Sequence, residues 1–271
     1  PYIITIPTNA LAPTLVEAKT KKILERCNDA KLVVNLSLDG VGEKHDEIRG
    51  IIGNFSQFID AFHRLRNLKK EFPNLNIGVH SVISKYNISH ILQLYEFVRQ
   101  LDPDSYISEV AEERTELFNL NCDITPDLNL YNETIDVISE KIKKDYLKTK
   151  GLIPKFIQAF RVVYYQKVTQ GDWTHGQVIP CYAGYASCHI TPYGDVWPCC
   201  VLGYDKPMGN LREVNYRFKK VWFSKKADDA RNYIKAKKCA CPLANAHYTN
   251  ILCSFQGMLR VFQTLMNYKF Q

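Results

Sequence analysis

Residues 181–200 read CYAGYASCHITPYGDVWPCC and hold Cys181, Cys188, Cys199 and Cys200, four of the nine cysteines in the chain. Cys239-Ala240-Cys241 follows a lysine-rich helical stretch, and Cys253 comes later. Thiolates on a tight turn, joined by others at a helix end, are how small domains assemble a four-cysteine metal site, because each segment aims sulfurs at a common centre. Zinc and iron-sulfur clusters both accept such ligands. The alternative, free cysteines acting as small apolar residues, is the reading for Cys27 and Cys122, which stand alone.

The setting favours metal over disulfides. A chain of 271 residues buries a core without covalent staples, and the start, PYIITIPTNAL, has neither a basic leader nor a small-residue cleavage site. A cytoplasmic, reducing location is therefore expected, where clustered cysteines bind metal. The opening on strand-like sequence at Pro1 leads us to expect that an upstream part is missing. The hydrophobic fraction is 46% and the charged fraction 23%, with no apolar run approaching membrane-helix length. A net charge of +7 comes from lysines dispersed on helical faces, such as Lys19, Lys21 and Lys22. Dispersed charge is a solvated surface, so neither a nucleic-acid partner nor a membrane span is expected.

Strand-period and helix-period segments alternate over the first hundred or so residues. YIITIPTNAL reads as a strand, the stretch from Pro13 as a helix, and KLVVNLSLDG as a second strand. After a loop holding Gly40, His45, Asp46, Arg49 and Gly53 comes a helix with Asn54 as its expected cap, then a strand at NLNIGVHSVISK, a helix, and a strand at DSYISEVAE. This order predicts right-handed βαβ units and a parallel sheet, closed either as an open doubly wound sheet or as part of a (β/α) barrel. No G-x-G-x-x-G turn follows the first strand, which speaks against dinucleotide binding and against an open-sheet methyltransferase. Working residues are expected at the carboxyl ends of the strands: Thr8 and Asn9, Ser37 and Asp39, Ser81 and Ser84, Glu109 and Glu112. Two connecting helices, an irregular linker at TQGDWTHGQVIP and a hairpin turning at Tyr193-Gly194-Asp195 lead into the cysteine-rich end. Glu109, Glu112 and Glu113 read as solvated acids ahead of substrate contacts, and Tyr164, Tyr165, Trp173 and Trp197 as packing residues.

NLSLDGVGEKHDEIRGIIGNFSQFIDAF resembles the segment around the fourth strand of radical S-adenosylmethionine (radical SAM) enzymes, where S-L-D-G, H-D and R-G recur before a helix. CYAGYASCHITPYGDVWPCC, followed by MGNLREV, VWFSKKADDAR and CAC, is similar to the auxiliary-cluster domain of that superfamily, known as SPASM or, in shorter form, twitch. The resemblance implies an α/β fold: residues 1–118 as a radical SAM partial (β/α) barrel from about the third strand onward, 119–180 as a helical connection, and 181–271 as a small α+β SPASM/twitch-like domain. It implies S-adenosylmethionine and an auxiliary four-iron, four-sulfur (4Fe-4S) cluster as cofactors, and in the intact enzyme a 5′-deoxyadenosyl radical. Asn9, Ser37 and Asp39 match positions near the bound S-adenosylmethionine, and His45, Asp46 and Arg49 match the following loop.

Two departures from the pattern shape the expectation. The C-x-x-x-C-x-x-C motif of the radical-generating cluster occurs nowhere in the sequence, so the chain alone is expected to be inactive. The second departure, C-x-C where the full pattern has more cysteines, implies one auxiliary cluster, held by Cys181, Cys199, Cys239 and Cys241. Cys188, Cys200 and Cys253 are reserves, and His189 and His247 read as exposed loop histidines ahead of ligands. The resemblance implies a peptide, protein or small-molecule substrate and a flavodoxin or ferredoxin as electron donor. The competing reading is a non-catalytic module with structural zinc and a peptide-binding βαβ part.

Overall fold

Four runs rich in Ile, Val and Leu become the strands β1 (Ile3–Thr8), β2 (Lys31–Ser37), β3 (Leu75–Ile83) and β4 (Ser105–Val110) of one parallel sheet. The computed structural model describes residues 1–146, 151–170 and 176–267. The strands lie side by side in chain order, β1-β2-β3-β4. Right-handed crossovers in an order that never reverses place every connecting helix on the same face. A doubly wound sheet would reverse its order at a switch point. The sheet is therefore singly wound, as in part of a (β/α) barrel.

The helices α1 (Pro13–Arg26), α3 (Asn54–Glu71) and α4 (Ile91–Leu101) cover that face. Leu32, Val34 and Leu36 of β2 and Leu75, Ile77 and Val79 of β3 are buried, together with Phe58, Phe62 and Leu65 of α3 and Leu94 and Val98 of α4. Each such side chain contributes about 1.5–3 kcal/mol by leaving water. Alternate positions point to the opposite face, where Asn35, Ser37, His80, Ile107 and Glu109 are half-buried. The carboxamide of Asn35 lies over Gly78, its register partner, where a Cβ would stand 1.9 Å from Asn35 Oδ1. Only glycine leaves that space.

The loop after β2 is fixed by polar side chains. Asn54 was the expected cap of α3, but it is the first helical residue, and its Nδ2 donates to the Asn9 carbonyl at 3.1 Å. The cap is supplied by Asp46 of α2 (Glu43–Arg49), whose carboxylate accepts from the backbone N–H groups of Gly53 (2.6 Å) and Phe55 (2.7 Å). Those bonds, the one from Phe55 foremost, hold the Asp46 carboxyl below the usual range.

His45 of α2 is fully buried, and its Nδ1 accepts from the Asp39 backbone N–H at 3.1 Å. Burial pushes its pKa down from the ordinary value of 6.5. The unfolded chain therefore binds a proton that the folded one resists. This contribution to stability is lost as pH falls below about 6.5, at no more than about 1.4 kcal/mol per pH unit. His45→Asn keeps an acceptor but cannot titrate. Its disadvantage relative to wild type in urea unfolding should shrink between pH 7.5 and pH 5.5, and a difference independent of pH would overturn this account.

The chain divides into two compact units, Pro1–Ala111 with Ile124–Leu130, and Glu112–Asp123 with Tyr131–Gln271. The second unit includes most of α5 (Leu128–Tyr146) and all of α6 (Leu152–Gln170), the two helices expected as a connection between domains. Tyr131, Ile135, Ile138 and Ile142 bury one stripe of α5, and Val162, Tyr164, Tyr165 and Val168 are buried on α6. Tyr164, Tyr165 and Trp197 are packing residues, whereas Trp173 and residues 171–175 of the expected linker lie outside the described residues. The helix expected from Tyr216 onward is broken into α7 (Phe218–Trp222) and α8 (Lys225–Lys235), because Ser224 caps α8 by accepting from the Ala227 N–H at 3.2 Å. Two further helices follow, α9 (Ala244–Cys253) and α10 (Phe255–Asn267). Among the described residues no helix is long and apolar enough to cross a membrane.

Candidate metal centre

The hairpin β5 (His189–Ile190) and β6 (Asp195–Trp197) turns through Gly194, whose φ of +91° favours glycine. A third strand, β7 (Gly209–Asn210), pairs with β6. Beyond β6 the chain doubles back beneath the Trp197 indole. A Cβ at Gly203 would stand 2.2 Å from the ring, so close approach there needs glycine. This turn places Cys199 and Cys200, and α8 returns the chain to place Cys239 and Cys241.

Each cysteine segment is tied down by a side chain from elsewhere in the unit. The Tyr182 N–H, next to Cys181, donates to Asn250 Oδ1 of α9 at 2.8 Å. Gln177 Nε2 donates to the Ile234 carbonyl at 2.9 Å and to Cys239 Sγ at 3.5 Å. Tyr164 Oη donates to the Pro242 carbonyl at 3.1 Å, just past Cys241. Arg231 of α8 donates through Nε to the Gly184 carbonyl (2.7 Å) and through Nη2 to the Trp222 carbonyl (2.7 Å), and pairs with Asp228 (2.8 Å). Its guanidinium also lies 4.8 Å from the Trp222 ring centroid. These holders were not anticipated from the sequence. Nothing in their local pattern marks them, since each acts across tens of residues.

All four expected cysteines line one cavity of about 490 Å³, counted with the space open to solvent. Ile179, Leu202 and Ile234 form part of its apolar wall, and His247 and Asn250 of α9 complete it. Every cysteine is a free thiol. Burial pushes the Cys199 thiol up to about 12 and the Cys241 thiol well above its ordinary value. It also raises Cys239, against the hydrogen bond from Gln177. Cys181 is near enough to act as a like charge on all three. Half-buried thiols around one space are a soft donor set, and a thiophilic metal offsets the penalty that burial puts on the thiolates of Cys199, Cys239 and Cys241. Among the described residues no three His, Cys, Asp or Glu side chains converge to hold a single metal ion.

The remaining cysteines go elsewhere. Cys188 packs against the Val196, Met208 and Val221 cluster, Cys200 Sγ accepts from Arg114 Nη1 at 3.6 Å, and Cys253 is exposed at the end of α9. Cys122, expected as a small buried residue, is exposed, and Cys27 is half-buried. His189 is exposed and stacks on Trp197 at 5.4 Å. His247 departs from its expected place in an exposed loop. It lies within α9 and is 3% exposed, because one helical face turns it inward with Ile251.

In the first unit, Ser37 ends β2 on the face without helices, half-buried. Asn9 is exposed, and its Oδ1 accepts from the Leu11 N–H at 3.2 Å. Ala10 follows at φ +62°, a conformation that costs a non-glycine residue about 1–2 kcal/mol. Asp39 is 5% exposed with both oxygens engaged: Oδ1 accepts from the Val82 N–H at 2.8 Å, and Oδ2 pairs with Arg49 at 2.7 Å. Glu109 is half-buried, its Oε1 lying 3.1 Å from His80 Nε2, and is not the fully solvated acid its position suggests.

Residues 175–242 match the SPASM model, described as an iron-sulfur cluster-binding domain. That span contains Cys181, Cys199, Cys239 and Cys241. The chain is 22% identical over 204 residues to the antilisterial bacteriocin subtilosin biosynthesis protein AlbA of Bacillus subtilis strain 168, covering 75% of this chain and 40% of AlbA. It thus spans less than half the length of that relative. Native anSMEcpe with bound AdoMet has a similar fold at TM-score 0.57 and 16% identity, covering 97% of this chain and 74% of that one. A second anSMEcpe structure, with bound AdoMet and the Kp18Cys peptide, is similar at TM-score 0.55 and 15% identity, with 97% and 74% covered.

Proposed function

We propose that the chain, whose residues 175–242 match the SPASM model, is the part of a peptide-modifying radical SAM enzyme that holds an auxiliary iron-sulfur cluster. The observation that carries the reading is the convergence of Cys181, Cys199, Cys239 and Cys241 on one cavity inside the matched span. A cluster bound there would supply one-electron transfer or an open iron for substrate. The residues around it have identifiable work. Gln177 donates to Cys239 Sγ, Asn250 and Arg231 fix the loop that follows Cys181, and the apolar wall limits water.

Zinc as a structural clip is less well supported. Four thiolates each about 2.3 Å from one ion must crowd within about 4 Å of one another, and no three candidate ligands converge in that way among the described residues. Thiolates on the corners of a four-iron cluster stand farther apart. In the parallel-sheet unit, Asn9 and Ser37 are assigned to contact with S-adenosylmethionine at the strand ends. Asp39, with both oxygens engaged, shapes that contact by holding the loop. A peptide substrate is supported by the peptide-bound anSMEcpe structure and by AlbA's naming for bacteriocin biosynthesis. A flavodoxin or ferredoxin is the proposed electron donor.

The test is metal and acid-labile sulfide on the chain reconstituted without oxygen. About four irons with matching sulfide per chain are expected. Zinc without sulfide, or no metal, would overturn the reading.

A further inference from the structure

Among the described residues, His247 is the one imidazole on the wall of the cysteine cavity. It is 97% buried by its 3% exposure, and its two ring nitrogens are in different states. Nε2 lies 2.9 Å from the Cys241 carbonyl oxygen. A carbonyl can only accept, so Nε2 carries the proton and the neutral ring leaves a lone pair on Nδ1. Nδ1 is buried and has no hydrogen-bond partner. An orphaned buried nitrogen is rare in folded proteins and calls for a ligand or a function. We propose that His247 Nδ1 is a nitrogen donor to the metal group held in the cysteine cavity, taking the place of one of the four thiols, since a four-iron cluster has one terminal position per iron.

Two features of the geometry favour this assignment. A metal-binding histidine typically donates its other ring N–H to a backbone carbonyl, which fixes the tautomer and aims the ring. Here that carbonyl belongs to Cys241, itself one of the thiol donors. The ring is held from a second side by Tyr164, edge to face at 5.9 Å between centroids, so the imidazole is oriented before any metal arrives. His189, stacked on Trp197 at the surface, has neither of these features.

The inference rests on the iron-sulfur reading of the cavity, and one experiment separates the two. The chain is produced with ring-15N histidine, reconstituted with iron and sulfide, reduced, and examined by pulsed electron paramagnetic resonance. A strong nitrogen coupling that changes on labelling is expected, lost in His247→Ala and retained in His189→Ala. Iron and sulfide bound without that coupling would overturn the histidine assignment while leaving the cluster in place, as would a coupling that survives in His247→Ala. A chain that takes up no iron would overturn the reading of the cavity and this assignment with it. The labelled wild-type spectrum decides even if His247→Ala fails to fold.

Discussion

Cys199→Ser should leave the reconstituted chain with little of the roughly four irons and four sulfides expected of the wild type. Cys199 is a thiol pushed up strongly by burial, it packs against Ala183, Leu202 and Ile234, and it lies within electrostatic reach of Cys181 and Cys241. Serine is nearly isosteric but binds iron poorly, so the change removes a ligand while leaving the shape of the wall. Cys241→Ser should act in the same way. Cys253→Ser, at an exposed helix end, should leave iron and sulfide unchanged. The measurement is iron and sulfide per chain alongside the circular dichroism of each metal-free variant, so that loss of metal is separated from loss of fold. Full iron content in folded Cys199→Ser would remove Cys199 from the ligand set.

Arg231→Met should destabilise the second unit by about 2–4 kcal/mol, the cost of leaving two carbonyl acceptors without their charged donor. The Arg231 side chain is only 9% exposed. Methionine can fill its stem but donates nothing, which strands the buried carbonyl of Gly184 and the half-buried one of Trp222, each at about 1–3 kcal/mol at most. Lysine can satisfy at most part of the fork, so Arg231→Lys should fall between. Urea unfolding followed by tryptophan fluorescence reads this directly, because Trp222 lies against the guanidinium. A loss below about 1 kcal/mol for Arg231→Met would show that the network contributes no more than a surface pair.

The parts of the fold legible in the sequence are those set by local periodicity and turn chemistry. The alternation of β-branched runs with amphipathic helices gave all four parallel strands, and Tyr193-Gly194-Asp195 gave the hairpin. Strand order was open, because crossover packing and not local pattern decides between a doubly wound and a singly wound sheet. The cysteines were legible as a group for the same local reason, since two lie on either side of one hairpin and two at one helix end. Their holders were not. Gln177, Arg231 and Asn250 act through partners far along the chain, and Asp46 reaches beyond its own helix to cap the next one. His247 was read as surface because one histidine near a Cys-Ala-Cys segment carries no sign of the way its helix faces. Its place six positions after Cys241 was the available signal.

The cysteine segments flank a hairpin and two helices, so they are far apart in the unfolded chain and close only in the folded one. Anything bonded to all of them is also a cross-link. By the chain-entropy argument for cross-links, closing loops of some tens of residues removes on the order of 3–4 kcal/mol of disorder from the unfolded ensemble. The second unit would then owe part of its resistance to unfolding to its cargo, and removing the cargo with a chelator would shorten its lifetime against proteases.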